Sequence, residues 1–153
     1  MRGFKKVIDS ELKKENIVDV KIPKRSTKMS AGYDFYSPVE VTIKKGKTVT
    51  IPTGIKAYMK ENEFLMLVIR SSMGFKYNIR MTNQVGIIDS DYYENKKNDG
   101  HIYISLQNHG EEDFKINKND RICQGIFQNY LTIEKESQTQ NIRFGGIGST
   151  NRR

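Results

Sequence analysis

Two carboxylates, Asp89 and Asp91, stand between a glycine and a tyrosine in Gly86-Ile87-Ile88-Asp89-Ser90-Asp91-Tyr92. An aspartate held at the end of a short apolar run can orient or deprotonate a water, the general-base chemistry of hydrolysis. The same seven residues also read as a hairpin turn with surface aspartates. Upstream, Arg70-Ser71-Ser72 follows an apolar run. A strand that feeds a helix there aims unpaired backbone N–H groups at an anion, with the guanidinium beside them. The plain alternative is a serine helix cap next to a solvated arginine. Near the carboxyl end, Arg143-Phe144-Gly145-Gly146-Ile147-Gly148-Ser149-Thr150 has the composition of a phosphate cradle, because glycines let backbone N–H groups close on anionic oxygens. Many linkers share it. Ala31-Gly32-Tyr33-Asp34 reads as a turn before a strand, and Arg121-Ile122-Cys123-Gln124 as an alternating strand. Each run alone is ambiguous.

Composition narrows the chemistry less than it narrows the setting. The 153 residues carry 26 Lys+Arg against 18 Asp+Glu, a formal net charge of +8, which suits a polyanion: nucleic acid, or a small phosphate-bearing ligand. Much of the excess lies at the ends, in Met1 to Ser30 and in Arg152-Arg153, and the abundance of Lys, Asn and Ile fits an AT-rich coding sequence. The longest apolar run, Phe64-Leu65-Met66-Leu67-Val68-Ile69, is far short of the roughly 18 residues of a membrane span. The amino end lacks the apolar stretch of a secretory signal, so a cytoplasmic protein is expected. The single cysteine, Cys123, excludes an internal disulfide and a multi-thiolate metal site, in keeping with a reducing compartment. His101 and His109 fall outside the runs above and read as structural or exposed.

The elements that must position these residues are mostly short strands. Ile17 to Ile22, Val39 to Ile43, Thr48 to Ile51, Gly54 to Met59, Phe64 to Ile69, His101 to Gln107, Phe114 to Ile116 and Arg121 to Asn129 are β-rich and punctuated by Gly, Pro, Asn and Asp, the close spacing of sandwiches and barrels. Phe4, Val7, Ile8 and Leu12 recur at helical spacing, which predicts a short helical extension over residues 1–16 ahead of a β-domain over 17–136. Ser71 to Asn78 predicts one internal helix with a serine cap. Residues 137–153 read as a glycine-rich, mobile tail that closes over the site. Hydrophobic residues make up 36%, below the roughly 45–50% of an average globular chain, so one lean all-β domain with shared interfaces is expected.

Joint order resolves what single runs leave open. Asp34, then Arg70-Ser71-Ser72, then Gly86 to Tyr92, then Arg121 to Gln124, then Gly145 to Thr150 resembles the five ordered motifs of the trimeric deoxyuridine triphosphatase (dUTPase) family, over about Lys21 to Thr150. The resemblance implies a jelly-roll-like β-barrel and a homotrimer whose sites borrow residues from more than one subunit. It implies hydrolysis of dUTP to dUMP and pyrophosphate by water attack on the α-phosphorus, assisted by Mg²⁺ held on the triphosphate. Asp89 matches the family's water-activating aspartate. Asp34 matches an aspartate that meets the metal only through water. Tyr92 matches a ring that packs on deoxyribose and bars a 2′-hydroxyl. Asn83, Gly86, Ile87, Ile88 and Tyr103 match the hairpin whose backbone reads uracil. Arg70, Ser71, Ser72 and Gln124 match phosphate contacts, and Arg143, Ile147, Gly148, Ser149 and Thr150 match the closing tail. Arg70, Arg121 and Arg143, spread along the chain, are expected to gather only when three chains meet.

Three departures stand out. Ile147 occupies the tail position where the family usually has a Phe that stacks on uracil. Glu94-Asn95-Lys96-Lys97-Asn98-Asp99 intervenes before Gly100, which predicts a polar loop protruding near the site. Met1 to Asn16 has no counterpart in the minimal pattern. This loop and the amino-terminal helix are the candidate contacts for a protein partner, the repressor-capturing role of some phage members. A deoxycytidine triphosphate deaminase, a related barrel, needs a glutamate to activate water, and Asp89-Ser90-Asp91-Tyr92 offers none. Nucleic-acid binding is not expected.

Overall fold

The computed structural model describes residues 1–136 and 142–148. Among these, twelve strands run in the order β1 (Gly3–Lys6), β2 (Lys24–Arg25), β3 (Tyr33–Tyr36), β4 (Val41–Ile43), β5 (Thr48–Pro52), β6 (Ile55–Tyr58), β7 (Glu63–Val68), β8 (Ile79–Met81), β9 (Gly86–Asp89), β10 (Tyr103–Asn108), β11 (Phe114–Ile116) and β12 (Arg121–Asn129). Two short helices, α1 (Asp9–Lys14) and α2 (Ser71–Tyr77), and a 3-10 turn at Ser90–Tyr92 complete them. Every strand pairing is antiparallel. The ladders are β2-β3-β12-β7-β9, β5-β10-β8, β11-β4 and β1-β6, wrapped as a jelly-roll-like barrel. No described helix is long and apolar enough to cross a membrane.

Period-two alternation explains how the strands fill the barrel and still present a site. Along β10, Ile104, Leu106 and Asn108 point inward and are buried, while Tyr103, Ser105 and Gln107 take the other face. Leu65 and Leu67 of β7 do the same opposite β12. They meet Phe35, Ile43, Ile51, Ile79, Ile102, Ile116 and Ile122 in one fully buried cluster. The only cysteine, Cys123, lies in it as a free thiol. His101 is also fully buried, and His109 is exposed.

Four local expectations are corrected by the tertiary context. Gly3–Lys6 is a strand, not the start of a helix, because its backbone pairs with β6 and Phe4 packs on Tyr33, Phe35 and Phe127. Helical spacing alone cannot see that ladder, and the helix shrinks to α1. Ile17 to Ile22 is no strand: Ile17 and Val20 are buried, but the segment joins no ladder. Helix α2 is present, yet Arg70 rather than a serine stands at its N-cap and no side chain caps it; it ends where Asn78 turns left-handed, φ 52°, a conformation asparagine tolerates.

The 94–99 loop does not simply protrude. Asn95 is buried, donating from Nδ2 to the Tyr92 carbonyl (2.8 Å) and accepting from the Lys97 and Asn98 N–H groups. Asp99 pairs with the buried Lys56 ammonium at 2.9 Å and accepts from the Ile8 N–H. Burial opposes the Lys56 charge, but hydrogen bonds to Asp99 and Glu94 outweigh it and hold its pKa above the usual lysine value. The insert is a brace with only its outer residues exposed.

Candidate active site

Where two strands of a barrel fail to meet, unpaired backbone groups are available to a ligand. Strand β9 ends its sheet, pairing with β7 alone. Strand β8 covers only Leu106 to Asn108 of β10, leaving the start of β10 open on that side. The gap between these edges is a cavity of about 450 Å³. Asn83, Gly86, Ile87, Ile88, Asp89, Tyr92, Tyr103, Arg143 and Ile147 line it, so most of the residues expected at the base and sugar come together in one chain. Asn83 sits in the turn that joins β8 to β9. Thr50, Leu67, Met81, Thr82, Ile102 and Ser105 also line the cavity and were not among the residues singled out. The alternation of β10 was the signal for Ser105, which shares its face with Tyr103 and meets the Thr82 hydroxyl at 2.7 Å.

Tyr92 is buried as a wall of this cavity. Its hydroxyl donates to the His101 carbonyl (2.7 Å) and accepts from Asn98 Nδ2 (2.8 Å), and burial raises its pKa, so it remains a neutral phenol. Across the mouth, Arg143 places Nη2 2.5 Å from Asp89 Oδ2 and Nε 2.5 Å from Asp91 Oδ1. The tail reaches this position because Gly146 has no side chain: a Cβ there would lie 2.6 Å from the Tyr92 ring. Ile147 covers the opening while 97% exposed. Ser149 and Thr150 lie outside the described residues, and Gly148 does not line the cavity.

The remaining candidates form a second group. Asp34, buried on β3, faces Gln124 of β12 in register. Its Oδ1 is 3.2 Å from Arg70 Nε, and its Oδ2 is 2.5 Å from the Ser26 hydroxyl and 3.4 Å from Arg121 Nη1. A Cβ on Gly32 would lie 2.2 Å from Gln124 Oε1, so that glycine makes room for the glutamine. Ser71 and Ser72 open α2 directly after Arg70. Arg70 and Arg121 therefore meet within a single chain, against the expectation that they gather only on assembly, and only Arg143 stands elsewhere. Ser26 was missed, since nothing in its neighbours distinguishes it from a loop serine.

None of Asp34, Arg70, Ser71, Ser72 and Gln124 lines the cavity. Strands β3 and β9 are separated by β12 and β7, roughly 14 Å across the sheet at about 4.8 Å per strand. Along the strands, Asp34 is level with Gln124 and Val68, whereas Asp89 is level with Phe64, roughly 13 Å further on. Within one chain, the cavity and the Asp34–Arg70–Arg121 cluster thus stand well apart. No group of three or more His, Cys, Asp or Glu among the described residues forms a metal cage.

Comparisons with known proteins bear on the family and the fold. Residues 18–151 match the family model described as dUTPase. The chain is 40% identical to the deoxyuridine 5'-triphosphate nucleotidohydrolase of Lactococcus lactis subsp. lactis (strain IL1403), over 98% of this chain and 97% of that protein. It superposes on the crystal structure of dUTPase from Streptococcus mutans with a TM-score of 0.73 and 36% identity, covering 86% of this chain and 98% of that one. The dUTPase from phage phi11 of S. aureus shares the fold at TM-score 0.70 and 18% identity, over 92% and 97% of the two chains. Identity of this order along the full length, on a barrel of the same build, has one reading: this chain belongs to the dUTPase family.

Proposed function

We propose that this chain hydrolyses dUTP to dUMP and pyrophosphate in the cytoplasm, as a homotrimer in which the base pocket of one copy meets the cation cluster of another. The observation that carries this reading is the pocket between the open edges of β9 and β10 with Asp89 at its mouth. Backbone N–H and C=O groups of Gly86 to Ile88, with Asn83 and Tyr103, present the alternating donors and acceptors that match the edge of uracil. Cytosine reverses two of those groups, and a buried polar group left unpaired costs about 1–3 kcal/mol. Tyr92, held by its two hydrogen bonds, closes the sugar side against a 2′-hydroxyl.

Asp89 orients a water toward the α-phosphorus and accepts its proton as the bond to the bridging oxygen of the β-phosphate breaks and pyrophosphate leaves. Arg143 pairs with an oxygen of Asp89. A triphosphate offers the guanidinium stronger bidentate partners, and its transfer there frees Asp89 for the water. Arg70 and Arg121 of another copy neutralise the phosphates, and Ser71, Ser72 and Gln124 donate hydrogen bonds to them. The donor set fits a Mg²⁺ that arrives on the triphosphate, since such ions keep their waters and need few protein ligands. Asp34 would face those waters, and the ion would supply charge neutralisation on the phosphate oxygens.

Separation of the two groups within one chain supports assembly, and so do the exposed apolar residues Val18 (92%), Phe75 (92%) and Leu131 (97%). Pyrophosphate release measured with dUTP, dCTP, dTTP and UTP tests the reading. Release from dUTP alone is expected; comparable release from all four would remove the base pocket and the Tyr92 gate.

A further inference from the structure

Helix α1 lies ahead of the residues matched by the family model, yet it and its C-cap residue Glu15 reach Tyr103 of the cavity wall and the adjoining His101. Glu11 and Glu15, one turn apart, both face the barrel. Glu15 Oε1 accepts a hydrogen bond from the Tyr103 hydroxyl at 2.8 Å, and Glu11 Oε2 lies 3.4 Å from His101 Nδ1. The rings of His101 and Tyr103 lie against each other, with centroids 4.3 Å apart. His101 Nε2 accepts from the Gly54 N–H at 2.8 Å, which assigns the ring proton to Nδ1, facing Glu11. The His101 carbonyl in turn receives the Tyr92 hydroxyl.

We propose that Glu15 is a positioning residue for the nucleotide pocket, acting through Tyr103, so that the amino-terminal helix takes part in substrate binding. The inference rests on the reading of this cavity as the dUTP pocket. Burial and the neighbouring carboxylate raise the Tyr103 pKa, so the phenol stays a donor at working pH. Its half-buried hydroxyl, deprived of Glu15, must turn to water or into the cavity, and the ring that lines the base site tilts with it. Glu15 is not the only anchor of the helix. Val7 N–H donates to the Gly54 carbonyl (3.0 Å), Ile8 N–H donates to Asp99 (2.8 Å), and the Leu12 side chain packs near Gly54.

The test is steady-state pyrophosphate release from dUTP by the full-length chain and by Glu15→Ala, Glu15→Gln, Tyr103→Phe and the Glu15→Ala/Tyr103→Phe double variant, with melting temperatures alongside. Glu15→Ala and Tyr103→Phe are each expected to raise KM on the order of fivefold, about 1 kcal/mol for a lost hydrogen bond, with kcat within about twofold. Glu15→Gln, whose amide oxygen still accepts, should restore KM, and the double variant should be no worse than either single one. Unchanged KM with a lowered melting temperature, additive effects in the double variant, or a Gln variant as impaired as the Ala one would each overturn the inference while leaving the dUTPase reading intact. An unaltered chain that releases no pyrophosphate from dUTP would overturn both. Should Glu15→Ala not fold, the Tyr103→Phe arm, which removes the same hydrogen bond from the other side, decides the matter.

Discussion

Asp89 and Ile147 are the single residues on which the proposed chemistry is most directly tested. Asp89→Asn keeps the shape of the pocket mouth and loses the proton acceptor, so pyrophosphate release should fall by roughly 10²–10⁴-fold while calorimetric binding of a non-hydrolysable dUTP analogue changes little. Near-normal turnover would take Asp89 out of the base role. Ile147 caps the opening with a branched aliphatic chain that is almost wholly exposed. An aromatic ring there can stack on a base, adding about 0.5–1.5 kcal/mol beyond area burial. Ile147→Phe is therefore expected to lower KM for dUTP several-fold, and a KM that stays level or climbs would show that stacking at this position contributes nothing. Both residues were singled out in the sequence by residue type and chain order, and both line the cavity.

At the scale of elements, the insert and the amino-terminal segment change character once packing is taken into account. Six polar residues in a row read as a solvated loop, but Lys56, on an adjacent strand, supplies the cation that draws Asp99 inward, with the two side chains only 6% and 10% exposed. A contact between residues 43 apart in sequence leaves no local trace. Lys56→Met strips Asp99 of its partner in a buried setting and should destabilise the fold by about 3 kcal/mol. Adding Asp99→Asn should recover part of that in thermal melts. No recovery in the double variant would mean that the lysine acts through packing of its stem alone. Some strands were legible with their bounds: the expected Phe114 to Ile116 and Arg121 to Asn129 coincide with β11 and β12. Gly3–Lys6 and Ile79–Met81 were not, since three or four residues carry too little pattern to reveal a ladder formed with a distant strand.

For the whole molecule, a buried histidine ties stability to pH. Burial lowers the His101 pKa below its ordinary value near 6.5, with Glu11 partly opposing the shift. Below that value the unfolded chain takes up a proton that the folded chain refuses, so the contribution is present in full above about pH 6.5 and is lost as the pH falls toward the lower folded value. The melting temperature should drop between about pH 7.5 and about pH 5.5, and His101→Gln should flatten that drop; an unaltered slope in the variant would assign it to other groups. Assembly is the second property at this scale. Sedimentation should give a mass near three times the 17.7 kDa of one chain, and a monomer that still turns over dUTP would refute the shared site.

The sequence by itself determined the family and the all-β class, and it named the residues that are expected to form the site. Each of these depends on residue type and order along the chain, and five short runs in a set order are more specific than any one of them. Only the tertiary structure decided how those residues are grouped. Sheet register sets Asp34 level with Gln124 and Asp89 level with Phe64, so the Asp34 cluster and the cavity fall on different parts of one barrel. The same packing turned an apparent appendage, α1, into a support for Tyr103. Spacing along the chain cannot report distances across strands, and those distances are what separate the two groups within one copy.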